Sequence, residues 1–214
     1  IAYEGQHHVL PRPGGEGKSI KLDHEASEIP IFLATLGPRS LEYTGAAADG
    51  WLGTSFSPDH AEAHLSYIRR GAEAAGRTLK DVAIHTSCNV EVGENVEEMI
   101  EARRAGVAFQ MGGMGSANTN FYNDAFKRAG YADAAIEIQR LWVEGKRDHA
   151  RRVVPDEMIT QFGAIGTPDM VRDRFRAYQS AGVESLSLRF GDGLDNKGKL
   201  AQLEQVLDLL KDVG

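Results

Sequence analysis

Short apolar runs that alternate with helix-patterned stretches constrain this chain more than any other feature. Ile29-Pro30-Ile31-Phe32-Leu33-Ala34 is a continuous apolar run, read as a strand buried on both faces, as in a parallel sheet. Leu36-Gly37-Pro38 turns the chain, and Arg39–Ala48 reads as a helix with Leu41, Tyr43 and Ala47 inward. Asp49-Gly50-Trp51-Leu52-Gly53 is a second, very short strand. Ser57-Pro58-Asp59 starts a helix that runs to Ala75 and stops at Gly76. Val82–Val92 is an apolar third strand rich in β-branched residues, and Glu94–Arg104 is a helix, acidic at its start and basic at its end. Helical segments follow at Phe121–Ala129, Ala132–Glu144 and Asp148–Phe162. Thr167-Pro168-Asp169 caps another helix ending near Gly182, and Ser185–Phe190 is the final strand. Lys197–Lys211 closes the chain as an amphipathic helix with Leu200, Leu203, Val206, Leu207 and Leu210 on one face.

Alternation of this kind builds a parallel sheet flanked by helices, the α/β class. Four strands with their helices make half of a (β/α)8 TIM barrel. The organisation expected is one partial barrel over residues 1–214: a loop and hairpin lead-in over 1–28, βα units over 29–106, a helical insert over 107–162, and the last βα units over 163–214. The opening Ile1-Ala2-Tyr3-Glu4-Gly5 reads as a strand or hairpin with Gly5 as its turn, and the absence of an initial methionine suggests further sequence upstream. A half barrel exposes two unpaired strand edges, so a homodimer is a reasonable expectation.

Composition excludes several function classes. With 42% hydrophobic and 26% charged residues, the 214-residue chain is that of a globular protein. Its net charge of −7 argues against nucleic acid or an anionic membrane as partner. Lys146, Arg147, Arg151 and Arg152 are interleaved with Asp148 and read as a solvated helix face. A single cysteine, Cys88, suits a reducing, cytoplasmic setting, and its place in an apolar run makes it a core residue rather than a nucleophile. Gly15-Glu16-Gly17-Lys18-Ser19 resembles the end of a phosphate loop, but Arg12 stands where that motif requires glycine. His60 and His64 lie four apart with no third ligand placed near them, so they read as a solvated surface and no metal is expected. No Gly-x-Ser-x-Gly elbow points to a hydrolase.

Several stretches in order resemble the luciferase-like monooxygenase superfamily. Tyr3-Glu4-Gly5-x-x-His8-x-Leu10, the Ile31–Gly53 segment with Gly37-Pro38 and Ala48-Asp49-Gly50-Trp51, and Ile165-Gly166-Thr167-Pro168-Asp169-x-Val171-Arg172 carry the likeness. Met111-Gly112-Gly113-Met114-Gly115-Ser116 followed by Asn120-Phe121-Tyr122-Asn123-Asp124 is similar to its F420-dependent branch. The resemblance implies a barrel that holds coenzyme F420, or alternatively FMN, at the C-terminal ends of its strands. It further implies hydride transfer to or from a small organic substrate. An FMN-dependent monooxygenase and a non-catalytic half-barrel association module are the alternatives.

Leu36, Gly37 and Pro38 follow the first strand directly, where glycine admits a phosphate close to the backbone and the next helix offers free N–H groups. The resemblance assigns this turn to the cofactor's phosphate tail; a plain tight turn is the bland reading. Gly53, Thr54 and Ser55 end the second strand, and their hydroxyls suit either phosphate and ribityl oxygens or simple loop capping. Met111, Gly112, Gly113 and Met114 read as a flexible apolar lining or lid for substrate. In sugar-phosphate dehydrogenases of the family, lysines are expected where this chain has Ser57 and Asn120, which argues against a phosphorylated sugar. The family's proton-transfer residues fall in the first half of the barrel, so no catalytic residue is assigned.

Overall fold

The computed structural model describes residues 2–18, 28–116, 118–191 and 193–213. Ser19, the last residue of the rejected phosphate-loop stretch, and Ala117, beside the glycine-rich segment, lie outside them. Strands β1 (Tyr3–Glu4) and β2 (Val9–Leu10) form the expected hairpin, closed by Gly5 N–H donating to His8 O at 2.9 Å.

The main sheet is parallel. Its strands are β3 (Phe32–Leu33), β4 (Gly50–Gly53), β5 (Ala83–Val92), β6 (Gly163–Gly166) and β7 (Ser185–Arg189). β5 is the hub: it pairs with β4 over Ala83–Thr86, with β7 over His85–Asn89 and with β6 over Asn89–Val92. Helices α1 (Pro38–Ala47), α2 (Glu62–Ala74), α8 (Pro168–Ser180) and α9 (Asn196–Leu210) belong to the sheet's part of the fold. One core joins the two layers, with Leu41, Trp51, Leu65, Ile68, Ile84, Cys88, Val90, Phe175 and Val206 all buried. The α/β fold of parallel strands with flanking helices is therefore present.

A second core belongs to the insert. It comprises α3 (Val96–Gly113), α4 (Phe121–Phe126), a π-turn (Lys127–Tyr131), α5 (Ala132–Val143), α6 (Arg147–Arg152) and α7 (Asp156–Gln161). Met111, Phe126, Ile138, Leu141, Met158 and Ile165 are buried together there.

Five local expectations need correction. Only Phe32 and Leu33 of the Ile29–Ala34 run pair, and Ile29 and Ile31 are 73% and 62% exposed, so this strand is an open edge rather than a doubly buried one. The inward face of α1 is Leu41, Thr44 and Gly45, which leaves Tyr43 and Ala47 outside. Strand β6 (Gly163–Gly166) forms where the sequence pattern shows only the approach to the Thr167 helix start. On α9 the buried positions are Val206 and Leu209, while Leu200 and Leu207 face solvent. Finally, the helix expected to end at Arg104 continues to Gly113.

Strand β5 also differs in character from a doubly buried strand. Ile84, Thr86, Cys88, Val90 and Val92 are buried against helices, whereas His85, Ser87, Asn89 and Glu91 alternate on the other side. β7 repeats the pattern with Leu186 and Leu188 inward and Ser185, Ser187 and Arg189 exposed.

Candidate cofactor site at the strand ends

Register places the two predicted turns at one rim. Leu33 pairs with Trp51 in neighbouring parallel strands, so Leu36-Gly37-Pro38 and Gly53-Thr54-Ser55 leave the sheet side by side at its C-terminal edge. The first turn is locked from below. Trp51 Nε1 donates to Thr35 O at 2.9 Å, and Thr35 and Thr44 share a hydroxyl hydrogen bond of 2.7 Å. Gly37 then caps α1 with no side chain to offer, and Pro38 follows at the first helical position. The first turn of α1 holds no acidic residue but does hold Arg39, contrary to the usual dipole preference. The N–H groups of Gly37, Arg39 and Ser40 have no acceptor among the described residues. A side-chain carbon at Gly37 would meet nothing closer than Ser40 Oγ at 3.5 Å, so the approach to this turn is open.

The second turn is strained. Thr86 Oγ1 donates to Gly53 O at 3.0 Å, which fixes the end of β4. Ser55 then adopts φ +50°, a left-handed conformation that L-residues other than glycine seldom take. Its hydroxyl is buried without a hydrogen-bond partner among the described residues. Backbone strain and an orphaned polar atom at one residue are a usual mark of a site that a ligand completes.

Three features near this rim escaped sequence reading. Arg128, in the π-turn of the insert, donates from Nη2 to Leu36 O at 2.8 Å. His64 is not on a solvated surface: it is buried against Trp51, with ring centroids 5.3 Å apart, and both ring nitrogens lack partners. Burial, with a smaller push from the Arg128 charge, lowers its pKa to about 3, which keeps it neutral. Its signal was available in spacing, since His64, Ile68 and Ala72 share one helical face. His60, by contrast, bonds Gln161 Oε1 at 3.0 Å, so the two histidines share no site. The third feature is the polar face of the sheet, where His85 bridges Ser185 Oγ at 2.6 Å and Ser187 Oγ at 3.0 Å. Asn89 and Arg189 lie in register beyond them.

The glycine-rich segment stands apart from this rim. Met111, Gly112 and Gly113 form the last turn of α3 rather than a flexible lid, and Met111 is fully buried in the insert core. A side-chain carbon at Gly112 would sit 2.4 Å from Trp142 Cβ, so that glycine serves helix packing. Met114 begins the loop after the helix and is half-buried. Asn120 and Asn123 hold this helix end, each donating to Met111 O, at 2.8 and 3.0 Å. Cys88 is buried, and burial pushes its thiol up to about 11, in line with a core role. Two cavities of about 470 Å³ and 360 Å³ include neither rim turn; the first involves Leu65, Leu79 and Ala181, the second Phe175, Leu188 and Leu210.

A family model described as luciferase-like monooxygenase matches residues 1–185. The chain belongs to the luciferase-like monooxygenase family. Within that family it is 30% identical, over 98% of its length, to a Mycobacterium tuberculosis protein named as a candidate coenzyme F420-dependent oxidoreductase, covering 60% of that relative. It is 31% identical, over 86% of its length, to 5,10-methylenetetrahydromethanopterin reductase of Methanopyrus kandleri, covering 50% of it. The solved coenzyme F420-dependent tetrahydromethanopterin reductase of Methanopyrus kandleri superposes with a TM-score of 0.67 at 26% identity, over 96% of this chain and 56% of that one. This luciferase-like chain therefore spans half to three-fifths of the length of these relatives. Among the described residues no helix is long and apolar enough to cross a membrane.

Proposed function

We propose that this chain is the cofactor-holding C-terminal half of a (β/α)8-barrel, F420-dependent oxidoreductase acting on a small organic substrate. The observation that carries the reading is the rim itself: an uncapped helix N-terminus and a strained, orphaned serine on adjacent strand ends. Bound there, the deazaflavin would supply hydride transfer. The residues of this chain do the rest. Gly37, Arg39 and Ser40 offer N–H donors and positive potential to the cofactor's phosphate, with Leu36 and Pro38 shaping the turn. Gly53 sets the height of the second turn, and the hydroxyls of Thr54 and Ser55 take ribityl or phosphate oxygens. The polar sheet face, His85 with Ser185 and Ser187, lies below this rim and gives a substrate hydrogen-bonding groups rather than an apolar floor.

Equilibrium titration of the protein with F420 and with FMN, followed by visible absorbance and fluorescence, tests the reading. Binding of F420 in preference to FMN is the expected result. Preference for FMN would move the protein to the monooxygenase chemistry of the family, and affinity for neither would leave a binding or association module.

A further inference from the structure

Among the described residues the insert reaches the Leu36–Pro38 turn by one side-chain hydrogen bond, from Arg128, and the charge at that point is unusual. Arg128 is half-buried, and burial pushes its pKa below the usual guanidinium range. A desolvated guanidinium ordinarily takes a carboxylate partner. Among the described residues Arg128 has none: Asp124, on the preceding helix, is engaged by Lys127 at 3.3 Å. Its Nε is buried and unpaired, and its one hydrogen bond runs to the backbone oxygen of Leu36. The residue sits in the turn that joins α4 to α5, where Gly130 at φ +91° breaks the helix two residues on.

That single hydrogen bond has a geometric consequence. The Leu36–Gly37 peptide is trans, so its carbonyl and its N–H point in opposite directions. Holding the Leu36 oxygen toward the insert turns the Gly37 N–H away from it, toward the open side of the turn. A cation on the carbonyl also polarises the peptide and makes that N–H a stronger donor. Two positive features, the guanidinium and the start of α1, then stand together, and among the described residues no carboxylate pairs with the guanidinium. Such an arrangement is costly until an anion arrives.

We propose that Arg128 is the positioning residue of the anion site: the insert, acting through the Leu36–Gly37 peptide, aims and strengthens the N–H that receives the cofactor's phosphate. The proposal rests on the reading of this rim as a cofactor site. It also gives the insert a specific task beyond packing.

The experiment compares wild type, Arg128→Gln and Arg128→Lys for F420 and for the same deazaflavin stripped of its phosphate and tail. Arg128→Gln is expected to weaken F420 by about tenfold or more while changing the phosphate-free chromophore less than about twofold, the scale of one charge-assisted hydrogen bond. Arg128→Lys, which keeps the charge but loses the planar fork, falls between. Equal loss for both ligands means Arg128 only supports the fold, and no loss for either means the contact is idle; each result overturns the proposal. Inorganic phosphate titrated against the Gly37 amide resonance gives a second readout that needs no cofactor. If neither F420 nor FMN binds wild type, yet phosphate shifts Gly37 in wild type and not in Arg128→Gln, the cofactor reading fails while the positioning role stands. If phosphate leaves Gly37 unmoved in wild type, the positioning role fails too.

Discussion

The sheet unit and the helical insert bury their cores by different means. In the sheet unit, strands with one apolar face lie under helices, and the close crossing of α1 and α2 brings backbone onto backbone. The opposite face of the sheet carries imidazole, hydroxyl and guanidinium groups. The insert packs helix on helix around an apolar core, with the buried amides of Asn120 and Asn123 tying off a helix end. The sheet unit therefore displays polar groups and the insert braces it; the two meet where Ile165 of β6 is buried in the insert core and at polar contacts such as Arg128 to Leu36 and His60 to Gln161.

The crossing of α1 and α2 is the place to break the sheet unit. A side-chain carbon at Gly71 would lie 1.8 Å from Glu42 O, and one at Gly45 would lie 1.9 Å from Ile68 O. Backbone cannot rotate aside as a side chain can. Gly71→Ala is expected to cost about 3 kcal/mol or more, at the upper end for overpacking, read from urea denaturation. A loss under about 1 kcal/mol would show that the helices separate freely and that this contact does not organise the sheet side.

The insert should break at its amides. Asn123 Nδ2 donates to Met111 O at 3.0 Å and to Ala135 O at 2.7 Å, joining the end of α3 to the start of α5. Asn123→Ala leaves both carbonyls without that donor, at a cost of about 2 kcal/mol. The two tryptophans report separately, since Trp51 lies in the sheet core and Trp142 packs on the end of α3. In a Trp51→Phe background the remaining fluorescence should show the insert loosening ahead of global unfolding. If both regions melt together, the division into a displaying unit and a brace is wrong, and the molecule is one cooperative body.

Most of the fold was readable because its signals are local. Thr167 caps α8 by accepting from Met170 N, as Thr-Pro-Asp promised, and α2 gives way just before Gly76. What escaped reading depended on partners far along the chain. Gly112-Gly113 looks like a flexible break until Trp142, thirty residues on, is seen to require the missing side chains. β6 is Gly-Ala-Ile-Gly, too short and small to show a period, and it exists because β5 overhangs the rim. The rim turns could be named from sequence since they follow strands directly. Arg128 could not, because only tertiary packing brings residue 128 to residue 36.

His64 gives a pH test that separates the two regions. Its folded pKa is lowered to about 3 from a model-peptide value of 6.5. Between those values the unfolded chain binds the proton and the folded chain refuses it. Stability should therefore be complete above pH 6.5 and fall as pH drops toward 3, by up to about 1.4 kcal/mol per pH unit. His64→Phe should flatten this slope and leave the insert's own acid response in place. An unchanged slope would mean that His64 takes up its proton inside the fold.

The smallest expected effect is the most telling for the rim. Ser55 holds a left-handed backbone without glycine's freedom and hides a hydroxyl with no partner. Both features oppose folding. Ser55→Gly should therefore stabilise the protein slightly, by up to about 1 kcal/mol. If the hydroxyl serves a ligand, the same change weakens cofactor binding while the melting temperature rises. The opposite signs matter more than either magnitude. A residue kept only for structure would lose stability on conversion to glycine, and a residue with no role would gain stability and bind as before. Only a ligand that completes Ser55 makes the strained form worth keeping.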